Sequence, residues 1–351
     1  MRRLSRLAPV LLAGALLATG CGGETSPPTT GGATGGATTP AAAALKVGLA
    51  YDIGGRGDKS FNDAAAAGLD KAEQEIGVEP KELEAATGES DADKESRLRL
   101  LAQQGFNPII AVGFAYATAL GKVAPEFPDT KFAIVDDASV EGDNVANLIF
   151  AEEQGSFLVG AAAGLKTETN KVGFVGGVET PLIQKFEAGY EAGVKRVNPE
   201  AEIVVQYLTQ APDFTGFTDP AKGKAAAEGM YDADADIVYH AAGGSGTGVF
   251  EAAKAANALA IGVDSDQYET VDPSLQDVIL TSMLKKVDVA VFDFVKSVSD
   301  DSFRAGPSIY DLAKDGVGYS TSGGKVDDIT DQLEELKQQI IAGEIQVPTA
   351  P

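Results

Sequence analysis

The stretch LKVGLAYDIGGRGDKSFNDAAAAGLDKAEQEIG, Leu45–Gly77, joins two different patterns of apolar residues. It begins with a short run of strand-forming residues and continues, after a glycine-rich loop, with apolar residues at helical spacing that end in glycine. Ser60 and Asp63 resemble a capping box, which predicts that a helix begins near residue 61. Two interpretations of the junction stay open. Either these residues only cap the helix while Phe61 packs against it, or the loop belongs to a binding site.

The same alternation of short strands and amphipathic helices recurs along the chain. Segments such as PIIAVG at 108–113 and IVY at 237–239 are apolar throughout, as strands buried on both faces require. Right-handed βαβ units of this kind build parallel sheets covered by helices, so the pattern predicts an α/β fold. A midpoint near Glu152 favours two doubly wound lobes over the alternative, a single closed barrel.

Length and composition are typical of a globular protein with two domains. The chain has 351 residues, of which 44% are hydrophobic and 23% charged, so it has enough apolar material for two cores. Three of its 28 basic residues are arginines in the first twenty positions, which leaves 25 against 52 acidic residues in the rest. Because nucleic-acid binding depends on basic patches, we expect no nucleic-acid partner.

The first 44 residues have the composition of a targeting segment and a linker. MRRLSR is basic, and the apolar run that follows is too short to span a bilayer, which predicts a signal peptide at 1–20. LLATGC, which ends at Cys21, resembles the bacterial lipobox and predicts a diacylated, palmitate-type anchor on Cys21; an ordinary secretory signal is the alternative. Residues 21–44 predict a flexible tether. We therefore expect a protein anchored to the cell membrane on its extracytoplasmic face.

Polar side chains and glycines cluster where the predicted strands end. In open parallel sheets, ligands bind beyond the carboxyl ends of the strands, and one such end carries the loop GGSGTG at 243–248. This loop matches neither a Walker loop nor the dinucleotide fingerprint, and nearby carboxylates would repel a phosphate. The set Asp52, Asp136, Asp264 and Lys285 instead fits a neutral polar ligand that carries hydroxyl or amide-like groups.

Catalysis finds no support in the sequence. The one histidine, His240, lies on an apolar strand, where a core residue with satisfied hydrogen bonds is the simpler interpretation. No nucleophile with a histidine and a carboxylate can be assembled, and the spacing of His and Cys needed for a metal site is absent from the sequence. We expect a protein that is not an enzyme and that uses neither a cofactor nor a metal.

Several segments resemble, in order, those of one known family. GDKSFNDAAAAGL at 57–69, GGSGTG at 243–248 and GVDSDQ at 262–267 are similar to the basic membrane protein (BMP) family of substrate-binding lipoproteins, and the likeness covers roughly residues 45–349. The resemblance implies a type I periplasmic-binding-protein fold, in which two lobes are joined by hinge strands. It also implies service to an ABC importer, with permease and ATPase subunits as partners.

The resemblance further implies how the base of a purine nucleoside is bound. Phe61, from KSFN, and Phe217, from GFTDP, match positions whose rings stack on the base. Asp52 and Asp136 match positions whose carboxylates accept hydrogen bonds from N–H groups of the base, with Asn62 nearby.

A second set of residues is implied for the ribose. It comprises Gly243 or Gly244 from the glycine loop, Asp264 from GVDSDQ and Lys285 from TSMLKK. A carboxylate beside an ammonium group suits hydroxyls, which both donate and accept hydrogen bonds. For three of the contacts a neighbouring residue of the same type stays open as an alternative, namely Asp58 for Asp52, Asp266 for Asp264 and Lys286 for Lys285.

The predicted mechanism is capture by closure of the two lobes around the ligand. We place the first lobe at 45–149 with 284–315, and the second lobe at 150–283 with 316–346. The closed form would be presented to the permease by a monomer. One alternative is a receptor or signalling lipoprotein of the same fold that binds a sugar or another small metabolite; a nucleoside hydrolase is the weaker alternative.

Overall fold

The computed structural model describes residues 44–86 and 88–351, so the predicted signal peptide, Cys21 and the tether up to residue 43 lie outside the described residues. The strands are β1 (Lys46–Ala50), β2 (Glu79–Leu83), β3 (Ile109–Ala111), β4 (Phe132–Val135), β5 (Val145–Phe150), β6 (Lys171–Glu179), β7 (Glu202–Gln210), β8 (Ile237–Ala241), β9 (Leu259–Asp264), β10 (Ile279–Lys285), β11 (Gly306–Tyr310) and β12 (Val317–Tyr319). The α-helices are α1 (Phe61–Ile76), α2 (Asp91–Gln103), α3 (Ala117–Val123), α4 (Glu152–Lys166), α5 (Pro181–Val197), α6 (Pro220–Asp232), α7 (Gly246–Ala256), α8 (Gln267–Thr270), α9 (Val287–Ser299) and α10 (Thr330–Ile341). None of these helices has the length and apolar character needed to cross a membrane.

These strands form two six-stranded sheets. The first has the order β11-β5-β4-β3-β1-β2 and is parallel throughout, and the second has the order β12-β10-β9-β8-β6-β7 with only β12 antiparallel. The predicted α/β fold with parallel sheets is confirmed. The alternative of a single closed barrel is wrong, because the strands divide into two separate sheets.

Helices cover both faces of each sheet. Along β1, Val47 and Leu49 join the core shared with α1 and α9, whereas Ala50 joins the core shared with α2 and α3. In the second sheet, α4 and α5 pack on one face, and α6 and α7 on the other. The backbones of α4 and α5 approach so closely that a Cβ on Gly193 would overlap the backbone of Phe157. This double covering explains why the inner strands are largely apolar.

The chain passes between the sheets at three places. These are the segment between β5 and α4, the segment between β10 and α9, and the loop between β11 and β12. We call the part with the first sheet the first lobe and the part with the second sheet the second lobe. The sheet membership supports the limits predicted above, 45–149 with 284–315 and 150–283 with 316–346, which remain our proposal.

Candidate functional site

Loops at the carboxyl ends of both sheets surround one cavity between the lobes. Eight of the nine ligand residues predicted from the sequence line it, namely Asp52, Phe61, Asn62, Asp136, Phe217, Gly243, Asp264 and Lys285. Gly244 does not line the cavity but lies beside Phe217. The remaining lining residues are Ile53, Asp58, Phe114, Leu182, Ile183, Phe186, Ala241 and Val263. Half of the residues that line this cavity are therefore ones that the sequence singled out.

Helix α1 begins at Phe61, as predicted, but the predicted capping box is wrong. The side chain of Ser60, the N-cap residue, makes no hydrogen bond to the helix. The carboxylate of Asp58 instead accepts hydrogen bonds from the backbone N–H groups of Ser60 and Asn62, both at 2.9 Å, and of Asp63 at 3.1 Å. Asp58 reaches these amides with both oxygens, which leaves the hydroxyl of Ser60 available for another partner. Burial raises the pKa of Asp58 to about 6, against the effect of these donors.

Two phenylalanines of different lobes face the cavity. Phe61 is the first residue of α1, and Phe217 ends the short 3₁₀ turn Phe214–Phe217. The ring of Phe217 packs directly on Gly177 of β6, where a Cβ would overlap it. Phe114 and Phe186 add two further rings to the lining. Four aromatic rings around one cavity suit a flat apolar ligand group.

Asp52 and Asn62 join the end of β1 to the start of α1. The backbone N–H of Asp52 donates to Oδ1 of Asn62 at 3.1 Å, and Nδ2 of Asn62 donates to Oδ2 of Asp58 at 3.0 Å. One carboxylate oxygen of Asp52 accepts a hydrogen bond from the backbone of Ile53 at 2.8 Å. Burial raises the pKa of Asp52 to about 6, so at neutral pH it still presents a carboxylate acceptor to the cavity.

Asp136 and Asp264 occupy equivalent positions in the two sheets. Asp136 directly follows β4 and Asp264 is the last residue of β9, and both have positive φ angles, 65° and 63°. Aspartate tolerates this left-handed conformation better than most residues. Burial raises the pKa of both carboxyl groups, and the nearby ammonium of Lys285 opposes that rise.

Lys285, the last residue of β10, lies among carboxylates. Its Nζ donates to Oδ2 of Asp136 at 2.5 Å and lies 3.4 Å from Oε1 of Glu152. Only 2% of the lysine side chain is exposed. Burial lowers the pKa of Lys285, but the carboxylates of Asp136, Glu152 and Asp264 outweigh burial, and the net shift is upward. The cavity therefore contains a fixed positive charge.

The ammonium group of Lys285 also lies within a ring of aromatic side chains. Its Nζ is 5.0 Å from the ring centre of Phe61, 5.1 Å from that of Phe150 and 5.5 Å from that of Phe186. Cations are attracted to aromatic faces at such distances. These contacts restrict where the ammonium can move.

A set of hydrogen bonds, which we call the closure contact, joins the lobes beside the cavity. Oγ of Ser60 donates to Oδ2 of Asp264 at 2.6 Å, and Oγ of Ser265 donates to the carbonyl of Ser60 at 3.0 Å. Nε2 of Gln267 donates to the carbonyl of Lys59, also at 3.0 Å. The start of α1 in the first lobe is thus bound directly to the loop after β9 in the second.

The alternatives left open by the sequence separate in the structure. Asp58 lines the cavity, although its oxygens cap α1. Asp266 and Lys286 do not line it. Asp266 accepts hydrogen bonds from the hydroxyls of Ser320 and Ser322, at 2.7 and 2.6 Å. Asp264 and Lys285 are therefore the members of their pairs that face the cavity.

Glu152 contributes to the site, although the sequence did not identify it as a site residue. It starts α4 two positions after the last residue of β5, its side chain is 1% exposed, and it pairs with Lys285, which lines the cavity. The position of Glu152 just after a strand end, like that of the other site residues, could have identified it. In the sequence it served only to mark the midpoint between the lobes.

His240 is buried in β8, as predicted, but it is not a satisfied core residue. Neither ring nitrogen makes a hydrogen bond of normal geometry within the part of the chain that the structure describes, although the side chain of Gln267 lies close to the ring. The ring lies edge-to-face against Phe250 at 5.1 Å and is covered by Gly246. Burial lowers the pKa of His240 to about 4, so the ring is neutral at neutral pH. Across residues 44–86 and 88–351, no three His, Cys, Asp or Glu side chains are arranged to hold a metal ion.

The chain is similar to known proteins along most of its length. Residues 44–350 match the Bmp family, described as ABC transporter substrate-binding protein PnrA-like. The CD4+ T-cell-stimulating antigen of Listeria innocua is 36% identical to the chain, with 97% of each chain covered. The ABC transporter nucleoside-binding protein BmpA of Lactococcus lactis is 32% identical, with 99% of each covered.

A solved structure is similar along most of its length. The ABC transporter solute-binding protein from Aeropyrum pernix has 34% sequence identity and a TM-score of 0.76, and the match covers 87% of this chain and 93% of that one. The predicted solute-binding-protein fold is thereby confirmed, as is the predicted family. The chain belongs to the Bmp family of PnrA-like ABC transporter substrate-binding proteins, which are solute-binding proteins and not enzymes.

Proposed function

We propose that the protein binds a purine nucleoside between its lobes and delivers it to the permease of an ABC importer. The observation that carries this proposal is that Phe61 of one lobe and Phe217 of the other face the same cavity as Asp52 and Asp136. A purine base offers flat faces to the rings and N–H groups to the carboxylates. The relative from Lactococcus lactis is named as nucleoside-binding, which supports the same ligand class.

The other side of the cavity suits the ribose. Asp264 and Lys285 place an acceptor and a charged donor close together, and Gly243 brings backbone to the surface. Ribose hydroxyls use both kinds of group. Four acids and one lysine line the cavity, so a phosphate would meet mostly like charge. The charges thus favour nucleosides over nucleotides.

The ligand must reach this site while the lobes are apart. The cavity lies between the lobes, and the closure contact joins the lobes beside it. Binding therefore requires these contacts to open before the ligand enters. The closure contact stabilises the closed form, and a ligand that binds this form better shifts the lobes toward it.

The N-terminal segment would keep the protein at the membrane. We propose that Cys21 carries the lipid anchor and that the residues up to 44 tether the globular part, from residue 45 onward, on the extracytoplasmic side. On this proposal a monomer presents its closed lobes to the permease, and the ATPase subunits act from the other side of the membrane.

Isothermal titration calorimetry of residues 43–351 tests the ligand. The titrants are adenosine, guanosine, inosine, cytidine, ribose and adenine. We expect one-to-one binding of purine nucleosides, weakened about tenfold or more by Phe61→Ala because a base–aromatic stack contributes about 1–3 kcal/mol. Phe303→Ala is the matched control, since Phe303 is also half-buried but packs against Phe294 away from the cavity.

Other outcomes would replace the proposal. Folded protein that binds no nucleoside contradicts it. Equal binding of ribose and of nucleosides would favour the alternative of a sugar or small-metabolite receptor, and release of free base from inosine would favour the hydrolase.

A further inference from the structure

Two of the segments that cross between the lobes carry residues of opposite charge. Glu152 is the first residue of α4, just after the crossing from β5, and Lys285 ends β10, just before the crossing to α9. Oε1 of Glu152 lies 3.4 Å from Nζ of Lys285, and the side chains are 1% and 2% exposed. A buried ion pair therefore connects two hinge segments.

Glu152 contacts two ammonium groups but does not line the cavity. Its Oε2 accepts a hydrogen bond from Lys185 of α5 at 3.2 Å. Its Oε1 has no hydrogen-bond partner within the described residues, and its nearest charge is that of Lys285. An unpaired carboxylate in the protein interior would destabilise the fold, so the buried charge of Glu152 depends on the two lysines as counter-charges. Because Lys285 lines the cavity and Lys185 does not, we expect an effect of Glu152 on a ligand to act through Lys285.

Three carboxylates and three rings surround the ammonium of Lys285. The carboxylates are those of Asp136, after β4, Glu152, on α4, and Asp264, at the end of β9. Asp136 holds the ammonium by a hydrogen bond of 2.5 Å. We propose that Glu152 is a positioning residue for Lys285. Its carboxylate attracts the ammonium against the attraction of Asp136, and the ammonium is thereby held where a ligand hydroxyl can reach it. The inference deepens the proposed function and rests on it for the identity of the ligand.

The first test needs no ligand. Three aromatic rings lie within 5.5 Å of Nζ of Lys285, so ring currents make the NMR signal of its ε-CH₂ group sensitive to position. Glu152→Gln keeps the shape and removes the charge, and we expect this signal to shift. Glu153→Gln, one residue along the same helix, is the control and should leave it unchanged. Lys285→Met assigns the signal by its loss.

The second test separates positioning from a general structural role. We expect Glu152→Gln to weaken the binding of inosine about tenfold, because a ribose hydroxyl would lose its hydrogen bond to the charged ammonium of Lys285. The affinity for 2′,3′-dideoxyinosine should fall less than twofold. A structural defect would weaken both ligands equally. If Glu152→Gln does not fold, Glu152→Asp keeps the charge, moves it away from Lys285 and should shift the same signal.

The possible results are distinct. An unmoved Lys285 signal, or equal losses for both ligands, overturns the inference. If the wild-type protein binds no nucleoside, the proposed function fails, and the NMR signal alone then decides whether Glu152 positions Lys285.

Discussion

The two sheets repeat each other strand for strand, yet their equivalent aspartates have different partners. Asp136 directly follows the fourth strand of its lobe and Asp264 is the last residue of the fourth strand of the other, with nearly the same φ, 65° and 63°. Asp136 accepts from the ammonium of Lys285, whereas Asp264 accepts from the hydroxyl of Ser60. An aspartate with positive φ at a strand end thus has a different role in each lobe. In the first lobe it fixes a charge at the hinge, and in the second it joins the lobes.

A second pair of equivalent positions differs more sharply. Gly113 and Gly243 both follow a third strand with positive φ, which makes Ile110 of β3 the counterpart of His240 of β8. Both side chains are fully buried. A central strand therefore accepts either an aliphatic residue or a histidine, but the histidine must stay neutral because burial disfavours its charged form more than the nearby side chain of Gln267 favours it.

The largest expected effect comes from removing the positive charge at the hinge. Lys285→Met leaves the carboxylates of Asp136 and Glu152 buried without their shared counter-charge. We expect the free energy of unfolding to fall by about 3–5 kcal/mol, as when one partner of a buried ion pair is removed. Urea unfolding at pH 7.5 measures this, with Lys286→Met as the control. A loss no larger than that of the control would show that Lys285 does not neutralise these acids.

The next effect tests the buried histidine. The unfolded chain takes up a proton at His240 near pH 6.5, but the folded chain does so only near pH 4. Stability is therefore lost as the pH falls through this window, by up to about 3 kcal/mol. His240→Ile copies the first lobe and removes this loss.

The measurement compares urea unfolding of both proteins from pH 7.5 to pH 4.5. Acidic groups titrate alike in both, so the difference between the two curves reports on His240. We expect the variant to gain stability relative to the wild type as the pH falls. A difference that does not change with pH would contradict the assignment.

A third test compares the two aspartates directly. Asp136→Asn removes the charged acceptor of Lys285, and we expect a loss of about 1.5–3 kcal/mol in the free energy of unfolding, typical of hydrogen bonds to charged groups. Asp264→Asn keeps an oxygen that can accept from Ser60, so we expect a loss below about 1 kcal/mol. Equal losses in the free energy of unfolding would mean that the two aspartates stabilise the fold equally and would contradict this difference.

The sequence predicted the inner part of the fold and the charged residues of the candidate site for one physical reason, whereas Phe61 and Phe217 were implied by the family resemblance. Inner strands are buried on both faces and are therefore apolar, and ligand residues collect where such strands end. The edge strands β2 and β11, with the sequences EPKEL and GPSIY, were not recognised. An edge strand pairs on one side only and tolerates proline and polar residues, so its pattern resembles a loop.

The errors in the site arose where two groups compete for the same partner. Ser60 and Asp63 have the spacing of a capping box, but Asp58 takes the amides of the first turn. Which of them caps the helix depends on the path of the glycine-rich loop, and spacing alone does not fix that path. The role of Glu152 depends on Lys285, which lies 133 positions later and meets it only through the fold.

The smallest expected effect concerns the hydroxyl of Ser60, which does not cap the helix. Ser60→Ala removes the hydrogen bond of 2.6 Å to Asp264 that crosses between the lobes. Because that bond exists only when the lobes are together, its loss should disfavour the closed form and weaken nucleoside binding about fivefold, equivalent to about 1 kcal/mol. Calorimetry with inosine measures this. Ser96→Ala, which removes a hydroxyl that bonds within α2, should bind like the wild type. An unchanged affinity in Ser60→Ala would show that the closure contact does not contribute to capture, and the difference between the two aspartates would then lie in Asp136 alone.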